Sequence, residues 1–309
     1  NTFVWAALAV LLLTVACALS LTVGARSTGL DQVWDALVNF DPRSADHVVV
    51  QARLRRTVTG VTVGGALGVA GAAMQGLTRN PLADPGILGL NSGAAAAVVV
   101  GIYAFSISSV AQFMGASFVG AALAAVLVYA IASVGRGGAT PVKLALTGAA
   151  ATAGFSSLVS AFIMIDHASL DRLRVWEVGA LGARALADVG IVAIIAAAGV
   201  AITLVATPAL NALALGDDAA VGLGVHVGRA RLLVGLAIVL LAGGAVALAG
   251  PIAFLGLVVP HAVRLAVGGD YRALIPLSLV AGPILILVAD VAGRIIAPPS
   301  EVQVGVMTA

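Results

Sequence analysis

Hydrophobic positions along this chain do not alternate with a period that would leave one polar face. They form runs of about twenty, separated by short polar pieces. At 1.5 Å per residue such runs are long enough to cross ~30 Å of hydrocarbon. The pattern predicts spans at Phe3–Val23, Thr57–Leu77, Gly86–Phe105, Val110–Val134, Val142–Ile165, Asp188–Ala206, Leu232–Ala249, Ile252–Val267 and Ala273–Ala292, with a tenth beginning near Val302. The eighth is short and carries Pro260, so it is expected to be tilted, broken or partly re-entrant, which is tolerated only against protein or a water-filled cavity. The first has no basic residues before it and reads as a span rather than a signal peptide.

Between the runs, Leu30, Val33, Leu37 and Val38 lie at helical spacing beside Asp31 and Asp35. They predict an amphipathic surface helix docked on the bundle, within a connector covering 25–56. The connector 207–231 reads as two short helices punctuated by glycine, with Asp217 near a helix start. One internal echo, Gly65–Gly71 against Gly244–Gly250, fits either a pair of related bundles or chance in an alanine- and glycine-rich chain.

Composition agrees with the pattern. The 309 residues are 61% hydrophobic and only 10% charged, with a mean hydropathy of +1.12, whereas a water-facing surface is typically ~25–35% charged. This is an all-α, polytopic membrane chain, a single transmembrane domain over 1–309. Its 37 glycines with 5% aromatics favour helices packed closely on small residues. A net charge of +2 argues against nucleic acid. Lys/Arg divide seven to nine between the two sets of loops, so the positive-inside rule gives no orientation. Cys17 lies in an apolar run and reads as a small core residue.

The chemistry the chain lacks narrows its function. Its one lysine, Lys143, follows Val142, so no phosphate-binding G-x-x-x-x-G-K-[ST] loop exists. His47, His167, His226 and His261 lack metal-ligand spacing, so no metal site is expected. No G-x-S-x-G elbow is present. Gly269-Asp270 and Gly216-Asp217 sit beside span ends, which argues against an intramembrane hydrolase. Apart from Lys143 and Asp188 at the very start of their spans and His261 beside Pro260, the ionisable acids and bases within the spans are Arg264 and Asp290, both near an end and expected to reach the interface, so an ion-coupled secondary transporter is poorly supported. A bundle with neither fuel site nor ion relay suggests a permease opened by another subunit.

Several segments carry a resemblance. Arg53-Leu54-Arg55-Arg56-Thr57 is followed by Gly71-Ala72-Ala73-Met74-Gln75-Gly76-Leu77-Thr78-Arg79-Asn80-Pro81-Leu82-Ala83-Asp84-Pro85-Gly86-Ile87-Leu88-Gly89. Then come Trp176-Glu177-Val178-Gly179, Leu213-Ala214-Leu215-Gly216-Asp217, the run from Gly250-Pro251 to Pro260-His261, and Ala289-Asp290. Together they resemble the membrane subunit of iron-siderophore, haem and cobalamin ABC importers, the FecCD-like permeases.

That resemblance implies about ten spans per subunit with short coupling helices, and one further apolar helix beyond Ala309. It also implies a second permease subunit, homo- or heteromeric, and two cytoplasmic ATPase subunits that carry ATP and Mg, this chain binding no cofactor itself. An extracytoplasmic binding protein would deliver the ligand across a bacterial inner membrane, with 25–56 on the outer side and 207–231 on the cytoplasmic side. Leu213, Leu215, Gly216, Asp217 and Gly224 then fall in the ATPase-coupling segment, with Gly216, Asp217 and Gly224 serving turn geometry and capping. Arg53, Arg56 and Arg294 match outward-facing arginines that pair with carboxylates of the binding protein, a job suited to a planar, permanently charged fork; snorkelling at span ends is the alternative reading. Asn80-Pro81 and Pro260-His261 read either as gate or hinge, or as helix ends stopped by proline. Met74, Gln75 and Asn91 are candidates for lining the path. Gly89-Leu90-Asn91-Ser92-Gly93 leans toward siderophore members, with haem or cobalamin as alternatives.

Overall fold

The structure is a computed structural model that describes residues 2–24, 27–135, 138–165, 178–182, 184–296 and 300–309. Every regular element among them is helical: α1 Thr2–Thr22, α2 Leu30–Val38, α3 Ala45–Thr78, a 3-10 turn Pro85–Leu88, α4 Leu90–Phe105, α5 Val110–Ala132, α6 Pro141–Ile165, α7 Leu186–Val205, α8 Thr207–Ala214, α9 Asp217–Gly222, α10 Val227–Ala249, α11 Leu255–Val267, α12 Tyr271–Ile296 and α13 Val304–Met307. Seven are long and apolar enough to span a membrane, and α4 and α11 are shorter apolar helices. These nine match the nine predicted runs. The tenth is represented by the short α13.

The bundle is organised around α3. Over its most apolar window α3 is 83% buried, against 11% for α1 and for α6. Its glycines explain that position. Gly60, Gly64 and Gly68 recur every fourth residue on one face and meet Leu287, the Gly282–Pro283 backbone and the Ser278 carbonyl in turn, so α12 runs antiparallel along α3. A Cβ on residue 64 would sit 2.7 Å from the Gly282 backbone. Small residues thus let two backbones approach where lipid offers no hydrophobic driving force between helices. Gly93 and Gly120 make the same close crossing of α4 and α5.

Helix α6 shows the same logic in a form that can be tested. A Cβ at Gly148 would overlap the Ile87 carbonyl at 1.7 Å, while at Gly154, nearly two turns further along, nothing lies within 4 Å. Gly148→Val is expected to cut the yield of monodisperse protein and lower its melting temperature, with Gly154→Val close to wild type. Equal behaviour of the two variants would refute this packing.

Boundaries differ from the sequence expectation in four places. Helix α3 begins at Ala45 rather than Thr57, because Ser44 caps it by accepting from the His47 N–H at 3.4 Å. The basic Arg53–Arg56 segment is therefore helical, not part of a connector. Helix α2 docks, but through Val33 and Ala36 against Val50 and Leu21; Leu30, Leu37 and Val38 are exposed together with Trp34. Helix α11 starts at Leu255 after a non-helical Gly250–Phe254 stretch, in keeping with a broken eighth span. Helix α10 contains a π segment, Val239–Gly243, with no counterpart in the hydrophobic pattern.

Candidate functional site

Two polar assemblies sit at opposite ends of the α3–α12 pair. At the first, Asp290 of α12 is wholly buried and holds two arginines. Arg56 donates to it from Nε at 2.9 Å and from Nη2 at 2.7 Å, and Arg294 Nη2 lies 3.0 Å away. The Nη1 of Arg56 reaches Glu301 at 2.6 Å. Arg53 and Arg294 also close the end of α1. Arg53 donates to the carbonyls of Leu21 and Thr22, and Arg294 to those of Ser20 and Val23, all at 3.0–3.1 Å. The last carbonyls of a helix have no intrahelical partner and carry the negative end of its dipole, so two guanidinium groups there satisfy geometry and charge together.

This placement departs from the outward-facing arginines that the resemblance implies. Arg53 is 8% exposed and Arg294 3%, and both are engaged inside the bundle. The side chain of Arg56, at 16% exposure, is the one that approaches the surface, beside the half-exposed Glu301. Asp290 is corrected likewise. It does not reach the interface, because it is the shared counter-ion of two buried cations.

At the other end, α8 and α9 form a compact module outside the spans. Leu213 is buried with Ala212, Ala220 and Ala230 in a small core of their own. Gly216 and Gly224 adopt φ of +110° and +81°, so glycine is needed to turn the chain on either side of α9. Asp217 does not cap α9: the N-cap is Gly216 and no side chain bonds the first turn. Its carboxylate is drawn away to Arg231 of α10 at 2.8 Å and Arg79 at 3.7 Å. The tip is apolar and uncovered, with Leu215, Val221 and Leu223 each more than 60% exposed.

A second set of contacts joins the module to the spans. Asn211 of α8 donates to Asp270 at 2.8 Å and accepts from the Tyr271 N–H at 3.0 Å. The N–H of Arg272 and the Asn211 amide hold the Asp270 carboxyl below the usual range. Tyr271 lies under Arg264, 5.5 Å from ring centroid to guanidinium. Arg264 donates to Gln75 Oε1 at 3.2 Å, and Gln75 Nε2 donates to the Leu257 carbonyl at 3.2 Å. A continuous chain of polar contacts thus runs from α8 through the start of α12 to α11 and α3. Arg79, Asn211, Arg231 and Tyr271 carry no site role in the sequence reading, and Arg264 was expected there only to reach the interface. Their partners lie up to 189 positions away, and no local spacing signals such pairs.

The remaining candidates separate. Met74 is fully enclosed in the main core, so it lines no open surface of this chain; Gln75, 2% exposed, lies in the polar chain above. Asn91 lies at the start of α4 beside Gly86, partly exposed. Asn80 and Pro81 are exposed just after α3, which Arg79 ends in a left-handed conformation at φ 52°, so this proline marks a stop. Pro260 instead sits inside α11, which continues to Val267, and His261 is exposed beside it. Asp84 caps the 3-10 turn by accepting from the Gly86 N–H at 2.8 Å, and burial pushes its carboxyl up. Trp176 and Glu177 lie outside the described residues. Gly179 of the same motif accepts from the Gly305 N–H and packs on the Pro251 carbonyl, joining α13 to the break before α11. The second half of α6 exposes Ser156, Ser157 and Ser160, a face that the apolar-run pattern does not mark.

With this geometry in place, comparison with known proteins is decisive. The profile of the FecCD transport family matches residues 12–309. The chain belongs to that family. This FecCD family member is 44% identical over 299 residues to the ferric enterobactin transport system permease protein FepD of Escherichia coli, covering 97% of this chain and 89% of FepD. It is 35% identical over 304 residues to the hemin transport system permease protein HmuU of Yersinia pestis, covering 96% and 90% of the two chains. Its fold superposes with a TM-score of 0.87 on a metal-chelate type ABC transporter in an inward-facing conformation, at 26% identity and covering 100% of this chain and 95% of that one.

Proposed function

We propose that this chain is the membrane-spanning permease subunit of an ATP-binding-cassette importer in a bacterial inner membrane, moving a ferric siderophore delivered by an extracytoplasmic binding protein. Higher identity to the enterobactin permease than to the hemin permease favours the siderophore over haem. A second permease subunit completes the pathway, and the serine face of α6, where Ser157 and Ser160 donate to the Ala153 and Ser156 carbonyls and keep their acceptor lone pairs free, is the surface suited to line it. Two ATPase subunits bind ATP and Mg, and this chain supplies no cofactor site. Arg56 is the member of the arginine trio best placed to meet a carboxylate of the binding protein, with Asp290 holding it and with Arg53 and Arg294 holding the end of α1 in position.

The observation that carries the reading, within the family match, is the α8–α9 module. It has a core of its own, two glycine turns, two polar tethers to the spans and an uncovered apolar tip. Such an element moves as a rigid body when a partner pushes it, and so transmits a hinge motion. Leu215→Asp is expected to weaken ATPase co-purification at least tenfold, from ~1.5–3 kcal/mol of lost leucine burial, with the melting temperature of the permease unchanged. Uptake into liposomes driven by a proton gradient without ATP would overturn the reading.

A further inference from the structure

A groove of about 330 Å³ runs between α5 and α10, floored by Leu77 and Leu88 and walled by Ala122, Val126, Gly235 and Val239. It lies on the outside of the bundle, where Val126, Leu232 and Leu236 are 48–64% exposed. From Arg231 to Val239 it covers about 12 Å of helix axis, one leaflet of a ~30 Å hydrocarbon core rather than both. Its walls are apolar until the end that carries α8 and α9. There Arg231 and Tyr129 form the rim.

Arg231 is 6% exposed, and only part of its guanidinium is used. Nη2 holds Asp217, while Nε is enclosed without a hydrogen-bond partner among the described residues. A buried donor left unpaired is costly, so this guanidinium keeps hydrogen-bonding capacity beyond its pair with Asp217. Arg231 lines the end of the groove, so an acceptor that enters from the membrane side with an apolar tail about one leaflet long meets this side chain.

We infer that this groove binds one anionic phospholipid, its acyl chain along Gly235 and Val239 and its phosphate at Arg231. Tyr129 is suited to the headgroup level, where tyrosine concentrates in membrane proteins. The charge at that end is complementary: Arg79, Lys143, Arg229 and Arg231 gather there against Asp217 and Asp218. A second copy of the chain fits less well, because a protein surface spanning both leaflets would not stop at one and would set apolar side chains against the rim charge. The site also bears on the α8–α9 module, since the phosphate would share the guanidinium that holds Asp217.

Gly235 gives a clean test, because nothing lies within 4 Å of where its Cβ would be, so leucine fills the groove without displacing neighbours. The full chain, exchanged into nanodiscs of equal phosphatidylglycerol and phosphatidylethanolamine and released for native mass spectrometry, is expected to retain one phosphatidylglycerol. The preference should be about fivefold, as one basic residue at a lipid surface supplies. Gly235→Leu should abolish retention, with Val126→Phe as a second blocking variant should the first not fold. Arg231→Gln should keep a lipid but lose the headgroup preference. Equal retention of both lipids by wild type, retention by both blocking variants, or disulfide cross-linking of two copies through Leu236→Cys would each overturn the site.

Discussion

Asp290→Ala is expected to be the most damaging single change at a charged position in this chain. The carboxylate has no exposure and is the shared counter-ion of Arg56 and Arg294. Removing one partner of a buried pair costs ~3–5 kcal/mol because the other charge is left uncompensated. Here two cations lose their shared counter-ion, Arg56 keeping only Glu301, and, if Arg294 turns outward, the end of α1 is left with Arg53 alone. At ~2 °C per kcal/mol for a chain of this size, the melting temperature should fall by at least about 6 °C, with most of the protein lost during expression. Asp290→Asn should fall between, since its oxygen still accepts from Arg56 while the charge is gone. Asp290→Asn combined with Arg294→Gln should recover part of the loss. A melting temperature for Asp290→Ala within a degree of wild type would show that the arginines are held by something other than this carboxylate.

The order of helices was legible in the sequence, and the reason lies in the solvent. Lipid forces each span to be a near-continuous apolar run, so Val110–Val134 and Val142–Ile165 announce themselves with ends within a few residues of α5 and α6. The glycine content foretold close packing, and the α8–α9 turn foretold two short helices. The rest depends on pairings that a single sequence does not display. Nothing near Asp290 says that its partners are Arg56 and, four places along, Arg294, or that Arg294 also bonds the end of α1. The family pattern marks the arginines but not the direction in which they point. Asp217 illustrates the same limit: an aspartate beside a helix start is ordinarily a cap, and only the fold brings Arg231 close enough to outbid the helix terminus. Of the α2 stripe Leu30, Val33, Leu37 and Val38, only Val33 is buried, because it and Ala36, one turn apart, face Val50 of α3 while the bulkier Leu30 and Leu37 do not. Helix α3 ran past its predicted start because Arg53, Arg55 and Arg56 interrupt the apolar run without interrupting the helix.

Gly71→Val is expected to have the second largest effect, and it bears directly on how the bundle can move. Pro260 has no N–H, so the carbonyl of Gly256 loses its helical partner. That carbonyl lies against α3 where a Cβ on residue 71 would come within 1.9 Å of it, and Gly256 itself rests on Pro85 and Asp84. The start of α11 is thus wedged between α3 and the 3-10 turn, with one turn of α3 separating the glycine contact from the Gln75 bond to the Leu257 carbonyl. Valine cannot be accommodated by a side-chain shift because backbone is in the way, so α11 must move, at ~3 kcal/mol or more for overpacking of this kind. Displacement of α11 also separates Leu257 from Gln75 and so cuts the polar chain that leads through Arg264 and Tyr271 to Asn211 of α8. Gly71→Val that still reaches the membrane should therefore hydrolyse ATP with its partners but import little, whereas Gln75→Leu should fold better and show a milder form of the same uncoupling. Normal import per ATP in Gly71→Val, measured in liposomes, would mean that α11 can shift without consequence and that the force from α8 travels by another route.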